Sequence, residues 1–262
     1  IALPITLAIA YFAAPEPQLA PPKPHGGIRT WLGLFKLKTV RKLLLADLFL
    51  GVAPGITGSL VFFFFGQVKG YDHASASIFM LLYFMAGLVG APFWAWLATR
   101  IGKHKTLAVS SIIFAVFYGL ACLVPGGNFA ITAAAMFMAG LPYAAALFLL
   151  RAMMADAGDE VRHETGEDLT GLMFSILAVT TKMGHVVALI PYAILQFVGF
   201  KPLQTPAENG DLAILMLQIL FIAVPAALMA AAALVMRNYP LTAQRHDQIR
   251  AELALKDAKA AL

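Results

Sequence analysis

From residue 169 to residue 199 the chain reads LTGLMFSILAVTTKMGHVVALIPYAILQFVG. The run is long and apolar enough to cross a bilayer as one helix, yet it carries Lys182 near its middle. At ~1.5 Å rise per residue that lysine lies roughly 20 Å into a hydrocarbon layer about 30 Å thick. Neither helix end is within snorkelling reach. Lipid exposure would cost at least ~3 kcal/mol, so the ammonium is read as a functional group facing an internal cavity or a partner. Gly171, Ser175, Ala178, Lys182, His185, Leu189, Tyr192 and Gln196 recur at spacings of four and three and share one side of this helix. The opposite side carries Met173, Ile176, Leu177, Val187 and Ile194, which lipid or a neighbouring helix would accept.

The rest of the chain has the same character. Its 262 residues are 60% hydrophobic and 13% charged, with a mean hydropathy of +0.79, whereas soluble domains are about 45–50% apolar. This is a polytopic membrane protein, all-α in class. A formal charge of +5 would suggest nucleic acid for a soluble protein. Here the basic residues fall between apolar spans and report topology instead, so no nucleic-acid partner is expected. The single cysteine, Cys122, lies in an apolar span and leaves no intramolecular disulfide and no CxxC site.

Residues 1–14 are read as the end of a truncated transmembrane helix, and residues 15–40, opened by PEPQLAPPKP, as a connection between two halves. Six spans are expected near 41–66, 75–98, 105–125, 129–154, 169–199 and 211–236, which make 41–236 a six-helix transmembrane domain. A tail at 237–262 follows, expected to form a short helix with Ile249 and Leu253 four apart. Of the 19 Lys and Arg residues, all but Lys69, Lys182 and Lys201 fall on one side of this topology. The positive-inside rule places that side, with both ends of the chain, in the cytoplasm.

Several residues within the spans invite a role. Asp47 lies about two turns into the first span, ahead of the bend-prone GVAPGITGS, and is either an interfacial acid satisfied by Arg41 or Lys42 or a substrate or gating group. Tyr83, Gly87, Gly90 and Trp94 align along the second span, and Gly140, Pro142 and Tyr143 sit near the middle of the fourth; small residues there suit packing seams. The third and sixth spans, mostly aliphatic, are expected to be outer scaffold. His185 could share the cavity of Lys182 or be a hydrogen-bonded structural residue; a metal role would need a second ligand at suitable spacing, and none appears. Asp156, Asp159, Glu160, Glu164, Glu167 and Asp168 form an acidic loop without the calcium-loop pattern.

Two stretches carry a family resemblance. Met154, Ala155, Asp156, Asp159, Thr165, Gly166, Gly171, Phe174, Ser175, Lys182 and Gly184 resemble the loop and eleventh helix of the glycoside-pentoside-hexuronide:cation symporters, the melibiose permease type within the major facilitator superfamily. In GAPFWAWLATRIGKHK, residues Gly90, Pro92, Trp94, Leu97, Arg100, Gly102 and Lys103 look like that family's turn between helices eight and nine. The resemblance covers nearly the whole chain. It implies the carboxyl-terminal six-helix half of a twelve-helix bundle in the cell (inner) membrane, partnered by an amino-terminal half that holds most of the coupling Na+ or H+ site.

The expectation is a secondary transporter, a cation-coupled symporter of a sugar or related solute working by alternating access; relatives within the family carry lysolipids, and a lysolipid or other amphiphile is the alternative. Candidate substrate-binding residues are Lys182, His185, Tyr143, Ser175, Tyr83 and Asp47. Candidate gating residues are Arg100, Lys103, Arg151, Asp156 and Asp159, basic and acidic groups on one side of the membrane. An enzyme would need a nucleophile with its base, or a metal cluster, and the spans show neither; a receptor would carry a folded output domain, for which the segments outside the spans are too short.

Overall fold

The computed structural model describes residues 33–187, 189–202 and 209–260, and the side chain of His185 is outside what it describes. The expected helix end at 1–14 and most of the expected connection at 15–40 lie outside the described residues. Helix α1 (Lys38–Phe63) runs on through a wider π turn (Phe64–Val68). It is followed by α2 (His73–Ile101), α3 (Lys103–Leu123), α4 (Phe129–Gly140), α5 (Tyr143–Thr165), α6 (Thr170–Val187) and α7 (Ile190–Phe197). Helix α8 (Asp211–Gln218), a second π turn (Ile219–Ala223), α9 (Val224–Arg237) and α10 (Ala243–Ala260) complete the order. No strand occurs among the described residues.

Among the described residues five stretches are long and apolar enough to cross a membrane: Lys38–Val68, His73–Ile101, Lys103–Leu123, Phe129–Thr165 and Asp211–Arg237. The span expected at 169–199 is instead two helices, α6 and α7. Pro191 opens α7 at its first turn, where its missing N–H and fixed φ suit a helix start and end the preceding one. Of the acidic segment only Glu167 and Asp168 lie in a loop. Helix α5 continues through Asp156, Asp159, Glu160 and Glu164 because nothing before Gly166 breaks it, and Gly166 at φ +74° then closes it by donating its N–H to the Arg162 carbonyl at 2.9 Å.

Helix starts follow local chemistry. Asp72 accepts from the Ser75 N–H at 3.0 Å ahead of α2, and Asn128 from the Ile131 N–H at 3.2 Å ahead of α4. The α2–α3 corner turns on Gly102 at φ +91°, a conformation that favours glycine.

Prolines inside the spans free carbonyls, and neighbouring helices take them up. At Pro142 the Ala145 N–H bonds the Pro142 carbonyl at 3.2 Å, and Trp94 Nε1 donates to the Leu141 carbonyl at 2.9 Å. Pro225 has no N–H for the Phe221 carbonyl four residues back; the buried Tyr118 hydroxyl donates to that oxygen at 3.0 Å.

Close helix crossings complete the frame. A Cβ on Gly90 would lie 2.2 Å from the Leu141 carbonyl oxygen, one on Gly140 2.1 Å from that of Tyr83, and one on Gly184 2.8 Å from the Gly51 carbonyl carbon. These are backbone atoms that cannot step aside, so α2 lies against the α4–α5 junction and α1 against α6 at glycine distance. Contacts in register, Asp47 with Thr180 and Tyr192 with Ser59, show that α1 runs parallel to α6 and α7, as first and fifth spans must. The tail forms α10 as expected, with Ile249 and Leu253 buried.

Replacing Tyr118 with phenylalanine leaves the Phe221 carbonyl without its hydroxyl partner in an apolar interior. The expected loss is about 1–3 kcal/mol, read as a lowered thermal midpoint in detergent; an unchanged midpoint contradicts this account of the Pro225 bend.

Candidate functional site

A cavity of about 310 Å³ opens between five helices. Helix α1 contributes Asp47, Leu50, Gly51 and Pro54; α3 Ser110, Ser111 and Phe114; α5 Tyr143, Ala146, Leu147, Leu150 and Arg151; α6 Phe174, Leu177, Ala178 and Thr181; and α9 Met229. A neighbouring cavity of about 340 Å³, lined by Tyr83, Phe84, Tyr118, Met136 and Phe221 among others, shares Pro54 and Tyr143 with the first. The two together make an apolar slot along α1. The third and sixth spans are therefore not merely outer scaffold: Ser110, Ser111 and Phe114 are buried on the α3 face that borders the slot, and Met229 reaches it from α9.

The hydroxyls of that wall are already engaged. Ser110 Oγ donates to the Leu107 carbonyl at 3.0 Å and Ser111 Oγ to the same oxygen at 2.7 Å. Asp47, only 7% exposed, is held by threonine. Thr180 Oγ1 lies 2.5 Å and Thr181 Oγ1 3.0 Å from its Oδ2. The reading in which Lys42 satisfies Asp47 is corrected: Lys42 Nζ donates to the carbonyls of Val235 at 3.0 Å and Asn238 at 2.8 Å. Among the described residues Asp47 forms no ion pair with Arg41 either. The cause is the α1–α6 crossing, which sets Asp47, one turn before Gly51, against the turn before Gly184.

Of the other expected substrate-binding residues, Tyr143 borders both cavities and Tyr83 the second, with ring centroids 5.2 Å apart. Lys182 is not in the wall of either. It is exposed on the outer surface of α6, beside cavity-lining Ala178 and Thr181, on the same face as exposed Gly171 and Ser175. Ser175 Oγ donates to the Gly171 carbonyl at 2.9 Å. The opposite face, Met173, Ile176 and Leu177, is buried. The small and polar stripe thus looks away from this bundle, and the apolar stripe packs into it.

The expected gating residues separate. Lys103 and Asp156 form an ion pair at 2.6 Å, while Asp159 bonds His246 of α10 at 2.8 Å. Arg100 lies over the Trp96 ring. Arg151 lines the larger cavity with Nη1 on its own Leu147 carbonyl at 2.6 Å. Two further bonds, His163 to Glu252 at 2.5 Å and Arg162 to Asp257 at 2.7 Å, hold α10 to the end of α5. In that corner burial first, then the Glu160 and Asp156 carboxylates, push the Tyr239 phenol far above its ordinary range, so it stays neutral. No group of three or more possible metal ligands occurs among the described residues.

Sequence reasoning missed Thr180, Thr181, Ser110 and Ser111. Two adjacent threonines just before an intramembrane lysine were a usable signal; which acid they would meet depended on the crossing with α1.

Membrane-length helices around a longitudinal slot define a polytopic membrane protein with an internal passage wall. The model of the family described as MFS/sugar transport protein matches residues 4–243, and the chain belongs to that family. It is similar to the sodium-dependent lysophosphatidylcholine symporter 1-A of Danio rerio, 25% identical over 82% of this chain and 40% of that protein. It also resembles symporter 1 of Gallus gallus, 27% identical over 79% and 39%, and the sphingosine-1-phosphate transporter MFSD2B of Xenopus tropicalis, 25% over 70% and 35%. The matched region is thus no more than about two fifths of these relatives' length.

The Lys103–Asp156 pair is half-exposed, and a double-mutant cycle of Lys103→Gln and Asp156→Asn should show coupling of about 1 kcal/mol or less that shrinks as salt rises. Strict additivity of the two thermal shifts at low salt contradicts a working pair.

Proposed function

We propose that this chain is the carboxyl-terminal six-helix half of a major facilitator transporter of the melibiose permease type that moves a single-chain amphiphile, a lysophospholipid-like molecule, by alternating access. One observation carries the choice over a sugar. A sugar needs a wall of free polar groups, whereas this slot is lined mainly by aliphatic and aromatic side chains, with Ser110 and Ser111 donating to Leu107. Such a wall suits an acyl chain. The names of the relatives favour the same class; the family's description favours sugar.

In this reading the exposed stripe of α6 faces the amino-terminal half, and the solute passes between the halves. Lys182 lies on that stripe, free among the described residues to hold an acid of the other half or the anionic head of the solute. The Lys103–Asp156 pair and the Asp159–His246 hydrogen bond would keep one mouth closed, with Arg100 and Arg151 assigned to the same side. A few such pairs bias closely balanced states. The basic side is assigned to the cytoplasm and the protein to the cell membrane. Coupling to Na+ or H+ would act through the free energy shared between cation and solute sites.

In the full-length transporter reconstituted into vesicles, Lys182→Leu should lower uptake of lysophosphatidylcholine about tenfold or more, a loss of about 1.4 kcal/mol or more, with unchanged thermal stability. Uptake equal to wild type overturns the role of Lys182. Uptake of melibiose in place of the lysolipid overturns the choice of solute.

A further inference from the structure

We infer that Asp47, relayed by Thr180, is an exchangeable proton site within this chain, loaded from the cavity between α1, α5 and α6. The geometry needs no heavy atom to move. Thr180 Oγ1 lies 2.5 Å from Asp47 Oδ2 and 2.8 Å from the Leu177 carbonyl oxygen, and its single hydrogen can go to only one of them. When Asp47 is a carboxylate, Thr180 donates to Oδ2. When a hydronium ion in the cavity passes its proton to Oδ2 and leaves as water, the new Asp47 O–H donates to Thr180 Oγ1, and the threonine hydrogen turns to Leu177. Release runs the same steps backwards. Two protonation states therefore share one set of satisfied hydrogen bonds.

The surrounding charges leave this site to a proton. On α1, Lys42 is committed to carbonyls of α9 and its neighbour, and Arg41 is exposed six residues before Asp47. Helix α5 offers Arg151 and Tyr143, both on the cavity wall, with Arg151 bonded to Leu147. Helix α6 carries Lys182, exposed, and His185; the charge of α9 is Arg237, in its last turn. Helix α2 brings Tyr83, and the α3 charges Lys103, His104 and Lys105 lie in its first turn, away from Ser110. Arg151 acts on Asp47 only through space, and a buried carboxylate that no cation contacts among the described residues takes a proton or a cation. The oxygens here touch at 2.5–3.0 Å, hydrogen-bond contact with no room for a metal ion among them.

What the proton would drive rests on the transport reading, but the test needs no solute and so fails separately from it. The infrared carbonyl band of a protonated carboxyl is followed in the vesicle-reconstituted full-length protein from about pH 5 to about pH 9, a window wide enough to see a perturbed carboxyl. Wild type should show a band that fades as pH rises and that is absent in Asp47→Asn. Thr180→Val, which removes the acceptor, should move the band to higher frequency. A wild-type band that never changes across the range, or spectra indistinguishable from Asp47→Asn, overturns the site; so does a band that keeps its position in Thr180→Val. Loss of the band on adding sodium chloride at fixed pH overturns the proton in favour of a metal ion.

Discussion

The architecture depends on how closely α1 and α6 approach. At Gly51 and Gly184 the two backbones lie so near that a single methyl group on Gly184 would strike the Gly51 carbonyl carbon at 2.8 Å. In a bilayer no hydrophobic force pulls one apolar helix to another, so such contact must come from packing and from hydrogen bonds between helices. Both are present here. Small residues allow the approach, and one turn away Asp47 accepts hydroxyls from Thr180 and Thr181. The crossing fixes which face of α6 is buried, and therefore which face, with Lys182, is left outward. It also sets the wall of the larger cavity, because Leu50, Gly51 and Pro54 follow Asp47 along that wall, and Phe174, Leu177 and Ala178 precede Thr181.

Proline chemistry does the complementary job of shaping the spans. Pro142 divides the fourth span beside Tyr143, which borders both cavities, Pro191 divides the fifth, and Pro225 follows a π turn in the sixth. Each removes a donor that a uniform helix would have supplied. Tyr118 meets the oxygen that Pro225 leaves without a donor, and Trp94 meets the Leu141 carbonyl, whose usual donor Ala145 bonds Pro142 instead, tying α3 to the turn before α9 and α2 to the α4–α5 junction. The bends are thus part of the tertiary contacts rather than flaws within single helices.

Much of this was legible in the residues. Hydropathy located the first, second, third and sixth spans to within a few positions, and the spacing of Gly171, Ser175, Ala178 and Lys182 separated the outward face of α6 from the buried Met173, Ile176 and Leu177; the fourth runs on past its expected end and the fifth is two helices. What could not be read was anything that depends on a crossing. Asp47 looked as if Lys42 would satisfy it because the two are near in sequence; α9 claims that lysine instead, through Val235 and Asn238. Ser110 and Ser111 looked like scaffold because serine disappears among aliphatic neighbours in a hydropathy average. The acidic run after Met154 looked like a loop because charge and Gly158 suggest solvent, yet a single glycine does not stop a helix and no proline intervenes before Gly166, so α5 goes on to dock α10.

The central claim is that the outward stripe of α6 borders a water-filled passage rather than lipid, and water access measures it directly. The native Cys122 is buried at 3% exposure, and with any cysteine outside these residues replaced by serine an introduced cysteine reports alone. Single cysteines at Ser175 and Ala178, and at Leu88 and Val89 on an exposed apolar side of α2 that the account assigns to lipid, with 68% and 60% exposure, are treated in the full-length protein in membranes with a charged, water-soluble thiol reagent. The account expects the two α6 positions to react and the two α2 positions to stay unmodified. Equal, negligible labelling at all four would place the stripe against acyl chains or sealed packing and contradict it.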